Sequence, residues 1–223
     1  MEPLQLREEE VFETLKRLKG SKFVVIGGYA VNAYALPRFS VDCDIVIEDH
    51  TELDNIEKIL LAFGYERKEL AKTGDFARYE KRLSKSFKVS FDVLIKEVFD
   101  RQTNIRISAD WIFKNSANRA LKGKTIAESL KLRIIDIDAL FVMKMISCRP
   151  TDIRDLFMMA TSIKDKNWVK NEVASRYDFD GRLRKVKEKI TSKEFKDGLQ
   201  GVYGLIDKQT FEKSVNAIVT LGD

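Results

Sequence analysis

Histidine and cysteine are nearly absent from these 223 residues. His50 is the only histidine and lies in a polar stretch, "EDHTELD". Catalysis through a Ser–His or Cys–His pair would have to use it, which argues against that chemistry. Cys43 and Cys148 are the only cysteines and show no paired spacing, which argues against a zinc motif or a disulfide framework. No apolar run approaches the length of a membrane span, and the opening "MEPLQLREEEVFETLKRLKG" is acidic and amphipathic rather than signal-like. A cytoplasmic protein without a membrane partner is therefore expected. Internal repeats, low-complexity segments and long Gly/Ser linkers are also missing.

What is present suffices for a core, since 44% of residues are apolar. Charged residues make up 34%, with 40 basic against 35 acidic, a formal net charge of +5. Such mild basicity permits a polyanionic partner without requiring one.

Apolar spacing predicts a helix over Glu8–Leu18, ended by Gly20. "KFVVI" reads as a buried strand, broken by Gly27-Gly28; Tyr29–Ala35 follows as a short helix stopped by Pro37. "CDIVIE" is a second strand. "TELDNIEKILLAFG" is a helix with Thr51 as its N-cap, Leu53, Ile56, Leu60 and Phe63 as its buried stripe and Gly64 as its stop. "YERKEL" and "FARYEKR" read as meander strands, and "KVSFDVLIK" as a clearer one. The stretch "NIRISADWIFKNSANRALKGKTI" is ambiguous, while "LKLRII" suits one more strand. From Asp138 onward the pattern is helical. The expected class is α+β, with a sheet domain over 1–105 and a mainly helical domain over 106–223 packed against it.

One stretch breaks local rules. Aspartate is a poor strand former, yet Asp42 and Asp44 stand where the second strand begins. Residues two apart share a strand face. Asp42 and Asp44 therefore point together, and Val41, Cys43, Ile45 and Ile47 point to the opposite, apolar side. Asp92 is the only acid in the third strand. If the two strands are neighbours, three carboxylates converge, and each pair repels by roughly 1 to 4 kcal/mol at about 4 Å. A divalent cation reverses the sign of that interaction, and Mg²⁺ prefers such oxygen ligands. Two ions on one patch can activate an attacking oxygen and stabilise a leaving one. A strand that turns sharply into a helix at Gly27-Gly28 aims backbone N–H groups at a site suited to phosphate. Gly28 has no side chain to block a triphosphate. Alone, each feature has a plain reading: a turn, a solvated strand edge. Neither GxGxxG nor a P-loop is present. The combined order is far more specific.

That order, Ile26-Gly27-Gly28, thirteen residues, Asp42-Cys43-Asp44-Ile45, then Phe91-Asp92-Val93, resembles the nucleotidyltransferase superfamily of the DNA polymerase β type. "GGYAVNAY" with "RFSVDCDIVI" looks like its small prokaryotic branch, which includes AbiEii/MenT-type toxins and antibiotic nucleotidyltransferases. A downstream segment, "IIDIDALFVMKMISCRPTDIRDLFMM", is similar to that branch's helical part at Lys144, Arg149, Asp152 and Asp155. The resemblance implies a mixed-sheet nucleotidyltransferase core with flanking helices and a C-terminal helical region. It implies that Asp42, Asp44 and Asp92 bind Mg²⁺, two ions, and that Asp92 orients or deprotonates an acceptor hydroxyl. Gly27 and Gly28 would hold nucleotide phosphates. The superfamily often has serine after the first glycine; here Gly28 stands there, and Ser40 is a candidate substitute. Arg38 would contact phosphate or brace the acidic loop. Lys144 would neutralise the triphosphate, against the plain reading of a solvated lysine on a Met-rich helix. Asp152 and Asp155 read as capping or positioning residues, and Met143, Met145, Met158 and Met159 as core filling.

The implied chemistry is attack of a hydroxyl on the α-phosphorus of a nucleoside triphosphate, with release of pyrophosphate. The acceptor would be tRNA, protein or a small hydroxylated molecule, and a cognate antitoxin is an expected partner. A second reading stays open: a non-catalytic nucleotide-binding regulatory or antitoxin-like module on the same fold. The three intact acids favour the enzyme.

Overall fold

Parallel and antiparallel pairing meet at the short strand before the diglycine. That strand, β1 (Val24–Val25), pairs antiparallel with β2 (Asp42–Ile47) and parallel with β9 (Leu130–Ile135). The structure is a computed structural model that describes residues 3–68, 75–85 and 87–222. The remaining strands of the sheet are β3 (Glu66–Lys68), β4 (Phe76–Ser84), β5 (Phe87–Ile95) and β8 (Ser116–Leu121). Seven strands form one mixed sheet in the order β3-β4-β5-β2-β1-β9-β8. A separate hairpin is made by β6 (Glu97–Asp100) and β7 (Ile105–Ser108).

The helices of this part are α1 (Pro3–Arg17), α2 (Gly27–Val31), α3 (His50–Ala62) and α4 (Ala109–Lys114). The side of β5 that carries Phe91 is covered by this layer. Tyr65, just after α3, meets the Phe91 ring edge-on at 5.6 Å. The Tyr65 hydroxyl lies 3.0 Å from Thr14 Oγ1 on α1. Leu53, Ile56 and Leu60 of α3 are buried as their spacing predicts, and Phe63 is only half-buried. The helix starts earlier than expected. Asp49, not Thr51, is the N-cap, accepting from the Glu52 N–H at 3.0 Å.

The chain divides into two compact units. The first is Met1–Ala33, Pro37–Val98 and Arg106–Ile135; the second is Tyr34–Leu36, Phe99–Ile105 and Asp136–Asp223. The expected division at residue 105 therefore falls about thirty residues early for the sheet unit. The cause is the β8–β9 hairpin, whose second strand joins the sheet beside β1. In β9, Leu130, Leu132 and Ile134 are buried while Lys131 and Arg133 are exposed, a half-buried strand pattern. The ambiguous stretch before it holds β7, α4 and β8. In "YERKEL" the strand covers Glu66–Lys68, and Glu69 and Leu70 lie outside the described residues.

After β9 the described chain is helical, as its apolar spacing predicts: α5 (Ile137–Ser147), α6 (Pro150–Met159), α7 (Lys166–Ala174), α8 (Phe179–Ile190), α9 (Lys193–Tyr203) and α10 (Lys208–Val219). Eight of the eleven residues of α5 are buried. A helix apolar nearly all round belongs at the centre of a bundle, and α6, α7 and α8 pack against it. Phe157 of α6 meets Phe195 and Phe211 at 5.2 and 4.9 Å. Met145, Met158 and Met159 fill this core, and Met143 is half-buried. Among the described residues no helix is long and apolar enough to cross a membrane.

One buried charge anchors α1 to the sheet unit. Glu8 is fully buried, and its carboxylate accepts from the Lys124 N–H at 2.6 Å, the Thr125 N–H at 2.8 Å and Thr125 Oγ1 at 2.6 Å. Three donors converging on one carboxylate compensate its desolvation. Glu8→Ala leaves these donors without their acceptor and is expected to lower the unfolding free energy by about 3 kcal/mol. Urea denaturation should read this as a lower midpoint with an unchanged slope, and Glu8→Gln should lose less.

Candidate active site

The three acids come together because of one register. β2 and β5 run parallel, with Asp42 opposite Ser90 and Asp44 opposite Asp92. One oxygen from each of Asp42, Asp44 and Asp92 can be chosen so that all lie within 4.8 Å of one another. Asp92 is buried, while Asp42 and Asp44 are partly exposed. Alternation holds for Cys43, Ile45 and Ile47, all fully buried on the other face. Val41 does not follow it. It precedes β2, and it is 61% exposed.

Two glycines are required here by space. Gly27 has φ of +65°, and a Cβ built on it would lie 2.0 Å from Asp44 Oδ2. The Ile26 N–H donates to the Asp44 carbonyl at 3.0 Å, so bend and acid are held backbone to backbone. A Cβ on Gly28 would lie 2.4 Å from Ser40 Oγ and 3.1 Å from Arg38 Nη2. Gly28 is buried. Its missing side chain makes room for a hydroxyl and a guanidinium rather than leaving an open approach, which corrects the reason expected for it. Gly27, Gly28, Arg38 and Ser40 are thus brought together beside Asp44.

Asn32 positions that group and was not singled out from sequence. It is fully buried; its Nδ2 donates to the Arg38 carbonyl at 2.9 Å and its Oδ1 accepts from the Arg38 N–H at 3.1 Å. A buried amide bridging a loop of this length has no sequence signature beyond being asparagine.

Arg78 is the larger omission. It stands opposite Asp92 in the antiparallel β4–β5 pairing. Its Nε donates to Asp92 Oδ1 at 2.7 Å and its Nη2 to Asp92 Oδ2 at 2.6 Å. The same Nη2 is 3.8 Å from Asp42 Oδ2. In "FARYEKR" Arg78 is one of four charged residues, and only the register sets it against Asp92. Burial pushes the Asp92 carboxyl above the usual carboxylate range, and the Arg78 fork pulls against that rise.

Lys144 lies in the helical unit. It is buried, with Nζ at 3.1 Å from Asp152 Oδ1 and 2.7 Å from Asp155 Oδ2. It is not a solvated lysine. Asp152 also accepts from Ser147 Oγ at 2.7 Å and from the Arg149 N–H at 3.1 Å, so it caps α6 as the sequence suggests. Tyr203 donates to Asp155 at 3.2 Å, and Arg149 pairs with Asp100 at 2.5 Å.

The mixed sheet thus sets three carboxylates on adjacent strands beside a glycine bend. The family described as nucleotidyl transferase AbiEii toxin, type IV TA system, matches residues 12–219. The chain belongs to this family. Among solved structures, that of the lincosamide antibiotic adenylyltransferase LnuA with lincomycin bound is similar at 16% identity and a TM-score of 0.39, over 60% of this chain and 84% of that one. Likeness at that level carries no argument about the site. No sequence among the curated proteins matches.

Gly27→Ala is expected to cost about 1 to 2 kcal/mol of stability through the left-handed backbone alone. It also displaces the Asp44 carboxylate, so if the three acids hold a divalent ion, binding of Mn²⁺ should weaken. Gly20→Ala, with nothing within 4 Å of the added atom, should leave Mn²⁺ binding unchanged. Thermal melts and Mn²⁺ titration of the two variants check this.

Proposed function

We propose that this chain is a metal-dependent nucleotidyltransferase that moves NMP from a nucleoside triphosphate to a hydroxyl acceptor, releases pyrophosphate, and acts as the toxin of a toxin–antitoxin pair. The observation that carries this reading is the meeting of Asp42, Asp44 and Asp92 within 4.8 Å. Their donor set fits Mg²⁺. All three offer hard carboxylate oxygens, and the nearby Cys43 thiol is buried on the opposite face. Even against both Arg78 and the nearby Arg38, three carboxylates keep a formal excess of negative charge.

Asp42, Asp44 and Asp92 hold the divalent ions, two in this reading, which supply charge compensation for the triphosphate and lower the pKa of an attacking hydroxyl. Asp92, on β5, orients the acceptor hydroxyl and takes its proton as the O–P bond forms. Ser40 and Arg38 donate to phosphate oxygens from the loop that Asn32 braces. The Gly27 bend keeps Asp44 beside them. Lys144 braces α5 against α6 through Asp152 and Asp155. The net charge of +5 makes RNA a reasonable acceptor beside protein and small molecules. The family description supports the toxin role and, with it, an antitoxin partner.

The test is to incubate the protein with each labelled NTP, Mg²⁺ and a total RNA and protein extract, then to see which fraction gains label. Wild-type protein should label one class of acceptor. Asp42→Asn with Asp44→Asn should lower incorporation by at least a thousandfold, as expected when an electrostatic centre of this kind is removed. Equal labelling by the double variant sinks the assignment.

A further inference from the structure

An acidic trio is unstable by itself, yet here two of its members face a cation that belongs to the chain. Asp92 has a side chain only 8% exposed, and both its oxygens are taken by Arg78 in a two-pronged contact at 2.6 and 2.7 Å. Asp42 is 3.8 Å from the same guanidinium. A carboxylate has about four acceptor directions. The fork uses two of them and fixes the plane of the group, leaving the others for a metal ion and for an acceptor hydroxyl. Lysine supplies the charge but not this planar fork.

We propose that Arg78 is a positioning residue for the metal-binding carboxylates. It orients Asp92 through the fork, and it substitutes for part of the charge of a divalent ion when none is bound. The inference rests on the metal-dependent reading above. It makes a claim that a merely structural ion pair does not: removing Arg78 should strengthen divalent-cation binding while destabilising the metal-free protein. A +1 charge a few ångströms from a 2+ site weakens that site by about tenfold even with near-aqueous screening.

The experiment compares wild type, Arg78→Met and Arg78→Lys. Binding of Mn²⁺ to the protein without nucleotide is measured by electron paramagnetic resonance of the free ion, and melting temperatures are taken with and without saturating Mg²⁺. Arg78→Met should bind Mn²⁺ about tenfold more tightly. It should melt below wild type without Mg²⁺ and regain most of that difference with it. Arg78→Lys should stay within about threefold of wild type in Mn²⁺ affinity yet lose at least tenfold in labelled-NMP incorporation, because charge returns without the fork.

Unchanged or weaker Mn²⁺ binding by a folded Arg78→Met overturns the assignment, as does a melting deficit that Mg²⁺ does not repair. Full incorporation by Arg78→Lys overturns the role of the fork. If wild type itself binds no Mn²⁺, the metal-dependent reading fails and this inference fails with it. If wild type binds and Arg78→Met binds no better, only the Arg78 assignment falls.

Discussion

Parallel pairing of β2 with β5, in the register that sets Asp44 opposite Asp92, is the constraint on which the site depends. Side chains alternate along a strand, so a slip of one residue would send Asp92 to the apolar face and bring Phe91 or Val93 to the acids. The register is held from the other side by burial. Cys43, Ile45, Ile47, Val89, Phe91, Val93 and Ile95 are all buried, and moving this set into water would be far more unfavourable than the repulsion among three carboxylates. Apolar packing on one face thus enforces an electrostatically unfavourable arrangement on the other.

That arrangement is relieved locally. Arg78 reaches across from β4 with two short charge-assisted hydrogen bonds to Asp92. Asp92 still has the protonation tendency of a desolvated acid. A buried carboxylate with a fixed partner, beside two more exposed ones, separates the roles of the three groups. Asp42 and Asp44 are partly exposed, whereas Asp92 is buried and held in one plane by Arg78.

The diglycine has a physical reason different from the expected one. Gly27 is required by its positive φ and by the closeness of Asp44. Gly28 is required because Ser40 and Arg38 occupy the space where a side chain would begin. The two glycines therefore clamp the Arg38–Asp44 segment against the end of β1. Lys144 is a parallel case, since a lysine in a Met-rich helix is held indoors by Asp152 and Asp155, acids one helix away.

Most elements were legible because their periodicity is local. The apolar stripe of α3, the alternation of β5 and the dense apolar run of α5 each reflect burial on a single element. The order of glycines and aspartates was legible too, because motif spacing is a property of the chain. Strand neighbours are not. That β9 closes the sheet beside β1, that Arg78 faces Asp92, and that Asn32 ties down the Arg38 loop all involve partners between six and more than a hundred residues apart. By itself the sequence determined which side chains a nucleotidyl-transfer site has available and which faces go inside. Tertiary structure alone decided which charges meet, because pairing between strands is set by the burial of whole faces rather than by any residue's own preference.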